Sequence, residues 1–183
     1  MTRSKLMMLL FVGSEAFFFL ALIFGYVYYS HPGGVIVDTT RFLDVKKTGV
    51  FTVFLLLSSF TIHMADLRLK KGNPKGLVGW LLATILLGLV FLIGQGIEYV
   101  GLIGEEITIS KDVFGSAFYT LTGFHGLHVL IGLIILGIVT YLIHSERYNK
   151  LGTSALESAS IYWHFVDVVW VVVFSVVYIG AVI

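Results

Sequence analysis

The chain contains no cysteine, which excludes thiolate metal sites, disulfides and thiol nucleophiles. Charge is also scarce. Asp, Glu, Lys and Arg make up 13% of the 183 residues and the formal net charge is +1, so no basic footprint suggests a nucleic-acid partner, and none is expected. Pro32 and Pro74 are the only two prolines. Both fall between apolar runs, where a missing backbone donor costs least. No cleavable signal peptide is read in "MTRSKLMMLLFVG", because its apolar run continues past the length of a signal core with no small-residue cleavage site. No internal repeat, low-complexity tract or second domain is visible.

Hydrophobic residues are abundant instead, at 57% of the chain, more than a water-facing surface can carry. Crossing the hydrocarbon takes about 20 mostly apolar residues as a helix. Five segments meet that need: Leu6 to Ser30, Gly49 to Ala65, Gly76 to Val100, Val113 to Ile143 and Ala159 to Ile183. The expected fold is therefore an all-α membrane protein, a bundle of five transmembrane helices forming one domain over 1–183. The second span is short, and the fourth is long enough to tilt strongly or project beyond the lipid.

Five spans put the N-terminus and the loops after spans two and four on one side of the membrane. That side holds Arg3, Lys5, Arg68, Lys70, Lys71, Lys75, Arg147 and Lys150, and the other only Arg41, Lys46, Lys47 and Lys111. Eight positives against four place the N-terminus in the cytoplasm and the C-terminus outside.

Ionisable groups are expensive inside lipid, so the few present point to function or to helix-helix bonds. They are Glu15, His63, Glu98, His125, His128, His164 and Asp167. Counting helical rise from the cytoplasmic span ends puts Glu15 and Asp167 about 12 to 14 Å deep, and His125, His128 and Glu98 about 25 to 33 Å deep. His63 and His164 are shallower on the cytoplasmic side, so two polar groups are expected at two depths. His125 and His128 in "TGFHGLHVLIG" share one helix face, and no histidine on another helix matches their depth. A bis-histidine haem site is therefore not assembled, and the favoured reading has both imidazoles bonding across helices to Glu98, Gln95 or a backbone carbonyl. Gly123, Gly126 and Gly132 would let a neighbouring helix come close enough.

Glu15 reads equally as a carboxyl bonded within the bundle and as a proton-handling or lipid-facing acid. Asp167, three residues from His164, is read first as a local His/Asp contact and second as part of a proton relay. Trp80, Tyr99, Tyr162 and Trp163 are taken as interfacial aromatics at span ends. Phe17, Phe18 and Phe19 are expected to face lipid or a partner helix.

Three stretches resemble subunit III of the haem-copper oxygen reductases, the cytochrome c and quinol oxidases: "GSEAFFF" at 13–19, "TGFHGLHVLIG" at 122–132 and "YWHFVDVVW" at 162–170, with "GQGIEY" at 94–99 in support. The resemblance runs over nearly the whole chain and covers the last five of the family's usual seven helices, a short form that is a bacterial pattern. It implies a non-catalytic subunit of a proton-pumping terminal oxidase in the bacterial cytoplasmic membrane. Such a subunit holds no haem and no copper itself and packs against catalytic subunit I, with subunit II, further small subunits and membrane lipids as partners. It supports proton uptake and the durability of the active site, while haem and copper reside in the partner subunits. Glu15 falls on the family's intramembrane glutamate, and Glu98, His125, His128, His164 and Asp167 fall on motif positions.

Rival readings are a free-standing membrane protein, either a small b-type cytochrome or a proton-coupled carrier, and the equivalent subunit of a nitric oxide reductase complex. A cytochrome needs opposed histidines, and a carrier usually shows inverted repeats or broken helices. The chain purified alone in detergent is accordingly expected to show no Soret absorption and no stoichiometric copper. A haem held by two histidines would restore the cytochrome reading.

Overall fold

The computed structural model describes residues 3–30, 43–71, 76–110, 113–145 and 150–180, and all regular structure among them is helical. Five long helices follow one another: α1 Arg3–Ser30, α2 Val45–Lys70, α3 Leu77–Gly104, α4 Val113–His144 and α5 Lys150–Phe174. A π-helical turn, Ser175–Ile179, continues α5. Each helix contains a stretch long and apolar enough to cross a membrane. The expected all-α, five-helix architecture is therefore the one observed. Pro32, Pro74, Arg41, Lys75, Lys111, Arg147 and the last three residues of the expected fifth span lie outside the described residues.

Helix and apolar run are different lengths, and α2 shows why. The run from Gly49 to Ala65 looks short, yet the helix covers 26 residues because its polar ends are helical too. Asp44 caps its start, its side chain accepting from the backbone N–H of Lys46 and Lys47 at 3.1 and 3.0 Å. Lys70 pairs with Asp66 one turn back at 2.6 Å, a cation in the last turn where the helix dipole favours it. At the start of α3, Gly76 takes a left-handed φ of 79°, a conformation glycine adopts without a steric cost. The fourth helix is the longest, at 32 residues, or about 48 Å against a hydrocarbon core of about 30 Å.

The fifth helix is the centre of the packing. It contacts α1, α2 and α4, while α1 packs on α4 and α5. Trp163, Trp170 and Tyr178, all on the α5 side, are among the largest fully buried side chains. Tyr162 and Trp163 are thus core residues, which corrects their reading as interfacial aromatics. The apolar run that suggested a span starting at Ala159 begins nine residues after the helix does at Lys150, so these rings sit mid-helix. Each indole N–H meets a hydroxyl of α2: Trp163 Nε1 donates to Ser58 Oγ and Trp170 Nε1 to Thr52 Oγ1, both at 2.9 Å. Among the three successive phenylalanines, Phe17 is 77% exposed and Phe19 only 2%, as helical geometry requires of positions two apart.

Two glycines make room for the Trp163 ring. A β-carbon at Gly88 of α3 or at Gly132 of α4 would lie 2.8 Å from it, so the indole fits between three helices only because both are bare. Gly88→Ala and Gly132→Ala are expected to lower stability by about 1–3 kcal/mol each through overpacking. Gly96→Ala, which meets nothing within 4 Å, should not destabilise. Thermal unfolding in detergent measures the three variants side by side.

Candidate functional site

The polar side chains within the bundle gather into separate nodes, each joining different helices. The first joins α1 to α4. His128 Nδ1 lies 2.7 Å from the Phe124 carbonyl and its Nε2 lies 3.1 Å from Glu15 Oε2. A carbonyl oxygen only accepts, so Nδ1 carries a hydrogen. Nε2 then meets the carboxyl either as the acceptor of a Glu15 proton or as the donor of its own, and both forms place one proton between the two atoms. The Tyr162 hydroxyl donates to the His128 carbonyl at 3.0 Å, which adds α5 to the node.

This contact corrects the two-depth expectation. Counting helical rise from span ends puts Glu15 and His128 about 10 Å apart in depth, yet they touch. The count takes all spans to start in one plane, whereas α1 begins at Arg3 and α4 runs to His144.

His125 is completely buried and neither ring nitrogen has a hydrogen-bond partner among the described residues. Its expected bond across the helices is not there. The imidazole serves as an aromatic ring, stacked on Trp170 with centroids 4.7 Å apart and edge-on to Phe91 at 5.9 Å. Gln95 does cross to a neighbouring backbone: its Nε2 donates to the Thr122 carbonyl at 2.7 Å. It sits against Gly126, where a β-carbon would come within 3.0 Å of its Oε1.

Glu98 is also not a partner of the histidines. Its Oε1 accepts from Thr48 Oγ1 at 2.9 Å and its Oε2 from the Tyr178 hydroxyl at 2.8 Å, so it ties α2, α3 and the π-helical turn together. Two residues of "GQGIEY" thus bind different neighbours, Gln95 to α4 and Glu98 to α2 and the π-helical turn.

The last node joins α2 to α5. Ser59 Oγ donates to Asp167 Oδ2 and lies 2.9 Å from His164 Nδ1. The expected local contact between His164 and Asp167 is therefore made through a third residue, a serine on another helix. Asp167 is 3% exposed and its Oδ1 has no partner among the described residues, whereas His164 is half-buried and His63 exposed.

Sequence reasoning passed over Thr48, Thr52, Ser58, Ser59 and Tyr178. One signal was available: the α2 hydroxyls recur at positions 48, 52 and 59, a helical spacing that puts them on one face. Among the described residues no group of three or more His, Asp or Glu is arranged to hold a metal ion.

Removing one partner of a buried polar pair leaves the other to bear its desolvation cost, typically about 1–3 kcal/mol. Glu15→Leu is expected to lower stability by that amount because His128 Nε2 loses its partner, and Glu15→Gln by clearly less because the amide still meets the ring. Thermal unfolding of both variants in detergent checks the order. Equal stability of Glu15→Leu and the parent chain would contradict a structural role for the contact.

The family model described as "Cytochrome c oxidase subunit III" matches residues 2–182. Relatives named "Cytochrome c oxidase subunit 3" include one from Synechocystis sp., 37% identical over 172 residues, or 93% of this chain and 72% of that one. A second, from Corynebacterium diphtheriae, is 34% identical over 174 residues, or 93% of this chain and 84% of that one. In Thermostichus vulcanus the identity is 43% over 129 residues, 70% of this chain and 63% of the relative. A match along nearly the whole length, on a helical membrane fold that ties the motif residues into nodes, means that the chain belongs to the cytochrome c oxidase subunit III family.

Proposed function

We propose that the chain acts as the non-catalytic subunit of a bacterial haem-copper terminal oxidase, stabilising the catalytic subunit and supporting proton uptake during oxygen reduction. The observation that carries this reading is the match to the subunit III family over residues 2–182. The chain is one transmembrane domain of the cytoplasmic membrane with its N-terminus inside, an orientation supported by the excess of Lys and Arg on that side. Subunits I and II and membrane lipids are its partners, and haem and copper belong to the partner subunits. Cytochrome c is the electron donor that the relatives' names favour, and a quinol is the other donor the resemblance allows.

Within the chain, Glu15, Glu98, His125, His128, His164 and Asp167 divide into two roles. Glu98 and His125 are structural, the one accepting hydroxyls from α2 and the π-helical turn and the other filling an aromatic stack. Glu15 with His128, and Asp167 with His164, combine a carboxyl and an imidazole with a transferable proton between or beside them. These two pairs are the proton-handling candidates. Packing such pairs against a catalytic partner would help hold protons near its entrance.

Affinity capture of the tagged chain from its native membrane is expected to bring down a much larger haem protein that reduces oxygen. Deleting the gene should leave initial oxygen reduction in place and make it decay over repeated turnovers. An intact, long-lived oxidase without the chain would overturn the proposal.

A further inference from the structure

The geometry points to Asp167 as a proton store that is loaded through His164 and then Ser59 and unloaded in the opposite order. The inference rests on the proposed part of this chain in proton uptake and names the route. Three observations carry it. Ser59 Oγ touches both the imidazole and the carboxyl, at His164 Nδ1 and Asp167 Oδ2. The acid is buried while the histidine is half-buried. Asp167 Oδ1 has no partner among the described residues, so one carboxyl oxygen is held by the serine and the other is uncommitted.

A serine hydroxyl has a single hydrogen. With Asp167 ionised, Ser59 gives that hydrogen to Oδ2, and its lone pair then accepts one from His164 Nδ1. The neutral imidazole is thereby fixed with Nδ1 protonated and Nε2 bare. A proton arriving at Nε2 lets the Nδ1 proton pass to Ser59 Oγ and the serine proton pass to Asp167. Two N–H or O–H bonds break and three form, accounting for the one added proton. Afterwards the carboxyl donates to Ser59, Ser59 donates to Nδ1, and the histidine carries its hydrogen on Nε2. Only Asp167 has changed charge, and no heavy atom needs to move. The reverse sequence empties the store.

Besides Asp167, the titratable groups near His164 among the described residues include His63 and Asp66, both on α2. Lys70, which pairs with Asp66 and feels Glu157 of α5, extends this group toward the end of α2. Protons delivered at that end therefore reach the imidazole before the buried acid, and Ser59 relays them between the two.

A purely structural hydrogen bond holds the imidazole in one tautomer, whereas the store requires the tautomer to change with the charge of Asp167. The full chain, labelled with nitrogen-15 and carbon-13 in lipid nanodiscs, tests this by NMR across a pH titration. The expected result is that the Asp167 carboxyl carbon and the His164 ring nitrogens shift at one common midpoint, with the imidazole hydrogen moving from Nδ1 to Nε2. Ser59→Ala should abolish the tautomer change and Ser59→Thr should retain it. Should Ser59→Ala fail to fold, Asp167→Asn provides the same test, because without a titrating acid His164 should keep one tautomer where the parent chain switches. A single His164 tautomer throughout in the parent chain, or a switch that survives in Ser59→Ala or Asp167→Asn, would overturn the store. The readout needs no partner subunit, so its failure leaves the oxidase reading standing, and that reading falls separately on the capture experiment.

Discussion

Lipid offers no hydrogen-bond partner, so polar side chains drawn into the bilayer find their partners within the protein, and most of those in this bundle do. The seam between α2 and α5 depends on this constraint most. Three hydroxyls of α2 meet α5 there, Thr52 with Trp170, Ser58 with Trp163, and Ser59 with both His164 and Asp167, while Thr48 meets Glu98 of α3. Burial alone would not fix the register of these helices, because lipid tails are as apolar as the leucines they would replace. Hydrogen bonds at fixed heights along the seam do fix it. Trp163 then has a defined place to insert, and the two glycines that flank its ring bring α3 and α4 to that same place.

The polar nodes differ in what they leave available. Around Glu98 both carboxyl oxygens are occupied by hydroxyls from two elements, a closed arrangement suited to holding structure. Asp167 keeps one carboxyl oxygen without a partner among the described residues, and Glu15 shares a proton with His128. The proposed proton handling therefore falls to two of the nodes, one between α1 and α4 and the other between α2 and α5, while the remainder keep the helices in register.

Helix number and class were legible in the sequence because a run of about 20 apolar residues is a strong and local signal. Helix ends were less so: Asp44, Lys46, Lys47 and Lys70 are polar, and nothing in hydropathy says that α2 includes or is capped by them. The identities of the site residues were legible from their rarity in apolar surroundings. Their partners were not, since a pair such as Glu15 and His128 depends on the relative heights of two helices whose ends lie in different planes. His125 shows the opposite failure. An imidazole in an apolar run suggests a hydrogen bond, and only the surrounding Trp170 and Phe91 rings reveal that it is used as a flat, polarisable surface.

The first helix is the least buried of the five, with Phe17 and Phe24 turned outward and only one face against α4 and α5. For a rod with apolar residues all around it, spinning about its own axis exchanges one oily contact for another at little energetic cost. The Glu15 carboxyl removes that indifference, because a single azimuth brings it to His128. It works as an indexing pin: it determines which stripe of α1 is presented to the rest of the membrane and sets it from the inside, independently of whatever surrounds the helix.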